Sequence, residues 1–254
     1  MTKVRRDGYA GEKCDASIRK ADGPGSQGLA VEGKKLMSMI SQMVQVPTDD
    51  ATLPADLVLP TPARAVVLFA HGSGSSRHSP RNRMVAAELR TAGLGTLLMD
   101  LLSEREERDD ALTGEHRFDI PFLGRRLVAA IDWLDTQPDT RGLPIVVFGA
   151  STGAAAALVA AGERPDRVLT VVSRGGRPDL AEDALDAVRA PVLLIVGGED
   201  QQVLRLNEEA ARRLRAPYSL HVVPGATHLF EEPGALEEVA DTARRWCDER
   251  LRAA

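Results

Sequence analysis

PIVVFGASTGAAAALVAAG, residues 144–162, decides the fold of this chain. Residues 144–150 form a continuous apolar run, the pattern of a strand buried on both faces of a parallel sheet. Residues 151–162 are small and apolar and continue as a helix. Between the two stands Gly149-Ala150-Ser151-Thr152-Gly153. A chain that passes from strand to helix within these five residues turns sharply and holds Ser151 in a strained conformation. Its hydroxyl is then exposed at a helix N-terminus, where partial positive charge favours a developing anion. Side chains at positions 149 and 153 would meet neighbouring backbone, so glycine stands at both. The turn also aims the Thr152 backbone N–H at the place where an oxyanion would form. The plain alternative is a glycine-rich turn with an N-capping serine, and downstream partners for Ser151 are what separate the two readings.

Outward from this stretch the pattern repeats. Residues 41–48 and 55–60 read as two short leading strands, and 64–70, 95–102, 167–173, 191–197 and 219–224 as further strands. Helices are expected from Ser79, with Pro80 at its first position and Gly93 at its end, over about 121–134, near 180–188 and over about 203–214. Leu236, Val239, Ala240, Ala243 and Trp246 recur at helical spacing in a terminal helix. The segment 103–117 reads as a charged loop. The expected fold class is therefore α/β: a mostly parallel sheet of about eight strands with helices on both faces. Residues 1–38, with the breaker run ADGPGSQG at 21–28, read as a flexible extension ahead of a domain over 39–254.

In such a sheet, ligands bind beyond the carboxyl ends of the strands, so polar residues just after strand ends matter most. A serine hydroxyl needs an adjacent base at neutral pH. His228 follows the last strand and fits that role better than His221 within a strand, His71 after the third strand, or His78 and His116 in polar sequence. A carboxylate must hold the histidine's tautomer. Asp200, ending VGGED after the strand 191–197, is the first choice, with Glu199 and Asp179 as rivals. The loop His71-Gly72-Ser73-Gly74-Ser75-Ser76 follows the third strand, and its small residues let backbone amides approach a substrate. The Ser73 amide is the expected second oxyanion donor beside that of Thr152.

Composition narrows the classes. Of 254 residues 43% are hydrophobic, enough for a large core, while the net charge of −5 and 4% aromatics argue against a nucleic-acid partner. The two cysteines, Cys14 and Cys247, stand near opposite ends and suggest neither a disulfide framework nor a zinc site. No apolar leader or membrane-length run is visible, and a reducing cytoplasm is the simplest compartment.

HGSGSSRHSPRN (71–82), FGASTGAAAAL (148–158), VSRGGRPDLA (172–181), IVGGED (195–200) and VVPGATHLFEEPGALEEVA (222–240) together resemble the dienelactone hydrolase-like branch of the α/β-hydrolases. The resemblance spans about residues 40–250, and is in particular to bacterial proteins that occur alone or fused to a phosphoribosyltransferase domain. It implies the α/β-hydrolase fold, the order Ser151, Asp200, His228, and no metal or organic cofactor. The namesake enzyme uses a cysteine nucleophile where this chain has Ser151, so its substrate does not carry over. The short stretch between 173 and 191 leaves no room for a large cap domain, so an open site rimmed by the loop 103–118 is expected, which favours a small, water-soluble substrate of the ester type.

Arg77, Arg81, Arg174 and Arg177 all follow strand ends on the same side. Arg174, with Arg77, is the candidate clamp for an anionic substrate group; pairing with acids such as Asp179 or Glu106 is the competing expectation. Two rival readings of function stand beside the hydrolase. Gly72 to Arg77, with Asp100 ending the next strand, has the look of a dinucleotide site, although Arg77 occupies the third glycine position. A hydrolase-like protein that only binds a ligand or partner is the other.

Overall fold

A computed structural model describes residues 38–254. The expectation of a flexible extension over residues 1–38 falls, apart from Ser38, outside the described residues. Eight strands form one sheet: β1 (Met39–Pro47), β2 (Thr52–Pro60), β3 (Val66–Ala70), β4 (Gly95–Met99), β5 (Ile145–Ala150), β6 (Val168–Arg174), β7 (Val192–Gly197) and β8 (Tyr218–Val223). Their order is β1-β2-β4-β3-β5-β6-β7-β8. β1 and β2 pair antiparallel, as do β2 and β4, and every other pairing is parallel. This is the mostly parallel α/β-hydrolase sheet, and no large cap interrupts it between β6 and β7.

The unbroken apolar strands follow from two-sided burial. Val66, Leu68 and Ala70 of β3, with Ile145 and Val147 of β5, face one core. Val67, Phe69, Val146 and Phe148 face the other, where the Phe69 and Phe148 rings lie 4.9 Å apart. Period-two alternation puts apolar side chains on both faces, so neither face can be polar. The first core is closed by α3 (Ile120–Thr136) and α4 (Thr152–Glu163), and the second by α1 (Pro80–Thr91) and α7 (Ala235–Ala253). α5 (Ala184–Ala187) and α6 (Gln201–Arg213) complete the set near β7. The helix expected near 180–188 is a 3₁₀ turn over Pro178–Ala181 followed by the single turn of α5.

The expected N-terminus of α1 forms as read: the Asn82 N–H donates to Ser79 Oγ at 3.3 Å, and Pro80 opens the helix. The charged segment after β4 differs from the expectation. Glu104–Thr113 is a helix, α2, rather than a loop. It buries only Asp110, so it carries no apolar stripe for periodicity to detect. Its signal is local: Ser103 and Glu106 form a capping box, an S-x-x-E pattern readable in the sequence.

Chain connections leave β3 toward β4 on one side and reach β5 on the other, so the strand order reverses beside β3. Loops after β3 and β5 therefore diverge and leave a crevice at their carboxyl ends. Among the described residues no helix is long and apolar enough to cross a membrane.

Candidate active site

Ser151 stands between β5 and α4 with φ 52° and ψ −121°, a conformation that costs a non-glycine residue on the order of 1–3 kcal/mol. Backbone bonds on every side hold it there. The Ser151 N–H donates to Arg174 O at 3.2 Å, and Ser151 O accepts from the Ala154 and Arg177 amides at 3.1 and 3.0 Å. The flanking glycines permit the turn: a Cβ on Gly149 would lie 2.4 Å from Ala154 Cα, and one on Gly153 2.4 Å from Ala70 O. The first amides of α4 have no carbonyl one turn earlier within the helix, so the Thr152 N–H is available to an anion beside Ser151.

His228 lies on the loop after β8. The Phe230 N–H donates to Thr227 O at 3.2 Å, and Phe230, at φ 56°, buries its ring in the second core. That anchor returns the loop over the sheet edge. His228 Nε2 is 3.3 Å from Ser151 Oγ, and His228 Nδ1 is 2.6 Å from Asp200 Oδ2. With the carboxylate as acceptor, Nδ1 carries the hydrogen and Nε2 offers its lone pair to the hydroxyl. Asp200 also caps α6, accepting the Val203 N–H on Oδ1 at 3.4 Å. The sequence candidates Ser151, Asp200 and His228 thus form one hydrogen-bonded series.

The rivals stand outside this series. Glu199 is exposed, and Asp179 pairs with Arg177 at 2.7 Å. His221 contacts Glu238 at 2.8 Å, His78 contacts Arg83 at 2.9 Å, and the His116 ring packs on Phe122. His71 is buried and accepts the Leu101 N–H on Nε2 at 3.1 Å, while its Nδ1 lies 2.9 Å from Gly72 O. Burial lowers its pKa and keeps it neutral. It ties the loop after β3 to the end of β4, a role that sequence position alone did not disclose.

That loop closes one side of a cavity of about 500 Å³. Ser73, Leu101, Leu102, Leu123 and Thr152, the residue after Ser151, lie on its wall, while Ser151 and His228 themselves do not line it. Glu107, Asp110 and Ala111 of α2 and the nearby Arg117 also line it, so the segment expected to rim the site does so, as a helix rather than a loop. The Ser73 amide, expected to face an oxyanion directly, donates to Thr152 Oγ1 at 2.9 Å. Burial, with the Asp100 charge adding to it, raises the Glu107 pKa.

Like Ser151 and His228, neither arginine singled out as an anion clamp lines this cavity, and the partners of each say more about its role. The Arg77 amide donates to Asp100 Oδ1 at 2.7 Å, and its guanidinium also binds Asp100. Asp100 is thereby engaged and does not stand free as a ribose acceptor, which corrects the dinucleotide reading; Arg77 pairs locally, as the competing expectation held, with Asp100 as its partner. Arg174 is buried under the His228 loop. Its Nη2 donates to Asn82 Oδ1 at 3.3 Å, its guanidinium carbon lies 6.0 Å from the Phe230 ring centre, and among the described residues it has no carboxylate partner. Burial, with Arg81 nearby, pushes its pKa down to about 10.

The sequence pattern of the Dienelactone hydrolase family matches residues 53–250. The chain belongs to that family. A dienelactone hydrolase from Anabaena variabilis of solved structure is 55% identical, superimposes with a TM-score of 0.80, and covers 82% of this chain and 96% of its own. A Mycobacterium tuberculosis (strain H37Rv) protein named "Putative phosphoribosyl transferase Rv0571c" is 55% identical over 208 residues. That match takes in 82% of this chain and 46% of the relative, so the chain spans about half the length of such curated relatives. Est1E from Butyrivibrio proteoclasticus, at 17% identity and TM-score 0.70 over 83% of this chain and 99% of that one, shares the fold. Membership of the dienelactone hydrolase family supports a hydrolase over a redox enzyme for this crevice.

Proposed function

We propose that the chain is a serine hydrolase that cleaves a carboxylic ester, lactone or thioester through an acyl-enzyme on Ser151. The observation that carries this reading is the series Asp200 Oδ2, His228 Nδ1, His228 Nε2, Ser151 Oγ, with contacts of 2.6 and 3.3 Å ending on a strained serine at a helix N-terminus. His228 Nε2 takes the hydroxyl proton as Ser151 Oγ attacks the carbonyl carbon. Negative charge moves to the carbonyl oxygen beside the α4 N-terminus. The bond to the leaving oxygen or sulfur then breaks, and the His228 imidazolium gives that atom its proton. Water repeats the sequence on the acyl-enzyme, with His228 again as base, and releases the acid. Asp200 holds the imidazole in the required tautomer throughout.

A neutral substrate is favoured over the anionic one that Arg77 and Arg174 suggested, because Arg77 is paired with Asp100 and Arg174 is enclosed between Asn82 and Phe230. Arg117 is the arginine on the cavity wall, and its Nε already donates to Asp110 at 2.6 Å. Glu107 adds an acidic group, while Leu101, Leu102, Ala111 and Leu123 accept an apolar portion. Labelling with a fluorophosphonate and locating the adduct by mass spectrometry tests the reading. The adduct is expected on Ser151 and absent in Ser151→Ala; a folded wild type that does not react would overturn it. Matched neutral and carboxylate-bearing esters then test the substrate class, with higher kcat/KM expected for the neutral member.

A further inference from the structure

We infer that the Thr152 side-chain hydroxyl is an oxyanion donor in its own right, a contact beyond the Thr152 backbone amide that the elbow geometry supplies. The inference rests on the serine-hydrolase reading of the same site. Thr152 is the first residue of α4, is 4% exposed, and lies on the cavity wall next to Ser151. Its Oγ1 accepts the Ser73 N–H at 2.9 Å. Among the described residues that is the hydroxyl's one hydrogen bond, so its own hydrogen has no protein acceptor. A threonine inside a helix ordinarily gives that hydrogen to a carbonyl one turn back. At the first helical position the residue four earlier is Phe148, within β5, and that option is closed.

A buried donor without an acceptor is uncommon in folded proteins and points to a ligand that completes it. The ligand this site implies is the oxygen of a tetrahedral intermediate on Ser151. The Ser73 amide, by donating into Oγ1, polarises the hydroxyl and makes it a stronger donor. Ser73 then acts through Thr152 rather than by direct contact. The hydroxyl and the Thr152 N–H come from one residue, so both are fixed by the same helix start that strains Ser151.

Thr152→Val removes the hydroxyl and keeps shape and backbone, whereas Thr152→Ser keeps the hydroxyl. Thr152→Val is expected to lower kcat by about 10- to 100-fold with KM changed by less than about threefold, since the contact forms as charge develops. Its affinity for a trifluoromethyl ketone, whose adduct on Ser151 carries the oxyanion, should weaken by a similar factor, and Thr152→Ser should recover most of both losses. A purely structural threonine would not change ketone affinity in step with kcat. Should Thr152→Val fail to fold in a urea melt, Thr152→Ala against Thr152→Ser makes the same comparison. An unchanged or raised kcat in the hydroxyl-free variant overturns the inference; a rise would mean that the hydroxyl withholds the Ser73 amide from substrate. Wild type that is not labelled at Ser151 removes the serine-hydrolase reading and this inference together. Labelled wild type with a fully active Thr152→Val removes this inference alone.

Discussion

Asp200 Oδ2 lies 2.6 Å from His228 Nδ1 while Oδ1 of the same carboxylate caps α6 through the Val203 N–H. One side chain thereby joins a helix start to the proposed base, and substitution can separate the two tasks. Asparagine is as good a cap as aspartate but carries no charge and can present its amide to the imidazole in the wrong sense. Asp200→Asn is expected to melt close to wild type and to lose about 10³- to 10⁴-fold in kcat on an ester. Asp200→Ala should lose the same activity and a further 0.5–2 kcal/mol, approximately, from the missing cap. Urea melts beside ester turnover read both, and substantial turnover in Asp200→Asn would move the acid role away from this residue.

The two glycines nearest the nucleophile predict different failures. A Cβ at Gly153 would stand 2.4 and 2.5 Å from the Ala70 and His71 carbonyl oxygens, both backbone atoms fixed by the sheet and the loop after β3. Gly153→Ala should therefore cost stability, roughly 1–3 kcal/mol or more. A Cβ at Gly72 would stand 3.0 Å from Ser151 Cβ and 3.2 Å from Ala150 O. Small shifts relieve that contact, but they move the serine. Gly72→Ala should lose more in fluorophosphonate labelling rate than its melting curve accounts for, and equal losses in both measurements would count against the placement.

The sheet, the elbow and the Ser151, Asp200, His228 series were legible because each has a short-range signature. Two-sided burial writes an unbroken apolar strand, and a five-residue strand-to-helix turn needs its glycines. The place of 103–118 at the rim of the site was legible but its helical form was not, since α2 buries almost nothing and shows no period; only the Ser103–Glu106 cap marked it. Arginine partners were equally hidden. Arg77 and Arg174 look alike after two strand ends, yet one meets Asp100 and the other is enclosed between Asn82 and Phe230. Which acid an arginine reaches depends on tertiary placement, and spacing in the chain does not encode it.

Arg126 is the tie that holds α2 in place. Its side chain is 2% exposed, and its Nη1 and Nη2 donate to Glu106 at 2.9 and 2.7 Å and to Asp50 at 2.9 Å. Burial works to raise the Glu106 pKa, but the Arg126 and Ser103 hydrogen bonds outweigh it and hold the carboxyl below its ordinary value. Arg126→Met keeps the packing volume and removes the charge. The cost should fall below the about 3–5 kcal/mol of a fully buried pair, because Asp50 and, in part, Glu106 reach solvent. Since α2 lines the cavity, KM should rise more than kcat falls, and amide exchange over 104–113 should speed up by about tenfold or more. Unchanged exchange in that helix would show that other contacts hold it.

His71 gives the fold a specific acid sensitivity. Its Nε2 accepts the Leu101 N–H at 3.1 Å, so protonation there breaks a bond and also places a charge in a buried site. Burial is the main cause that depresses its pKa from 6.5, partly opposed by the Gly72 carbonyl and the Asp100 charge. Between the folded value and 6.5 the unfolded chain binds the extra proton and the folded chain does not. The contribution is thus fully present above the unfolded value, declines as pH falls below it, and levels off beneath the folded value. While only the unfolded state takes up that proton, the slope is about 1.4 kcal/mol per pH unit. Glutamine can accept the same amide without titrating. Urea melts at about pH 7.5 and about pH 5.5 should therefore show a larger stability loss in wild type than in His71→Gln, the other titrating groups being common to both. Equal losses would mean that the imidazole is protonated as freely in the folded protein as in the unfolded chain, and that the loop carrying Ser73 does not depend on a neutral His71.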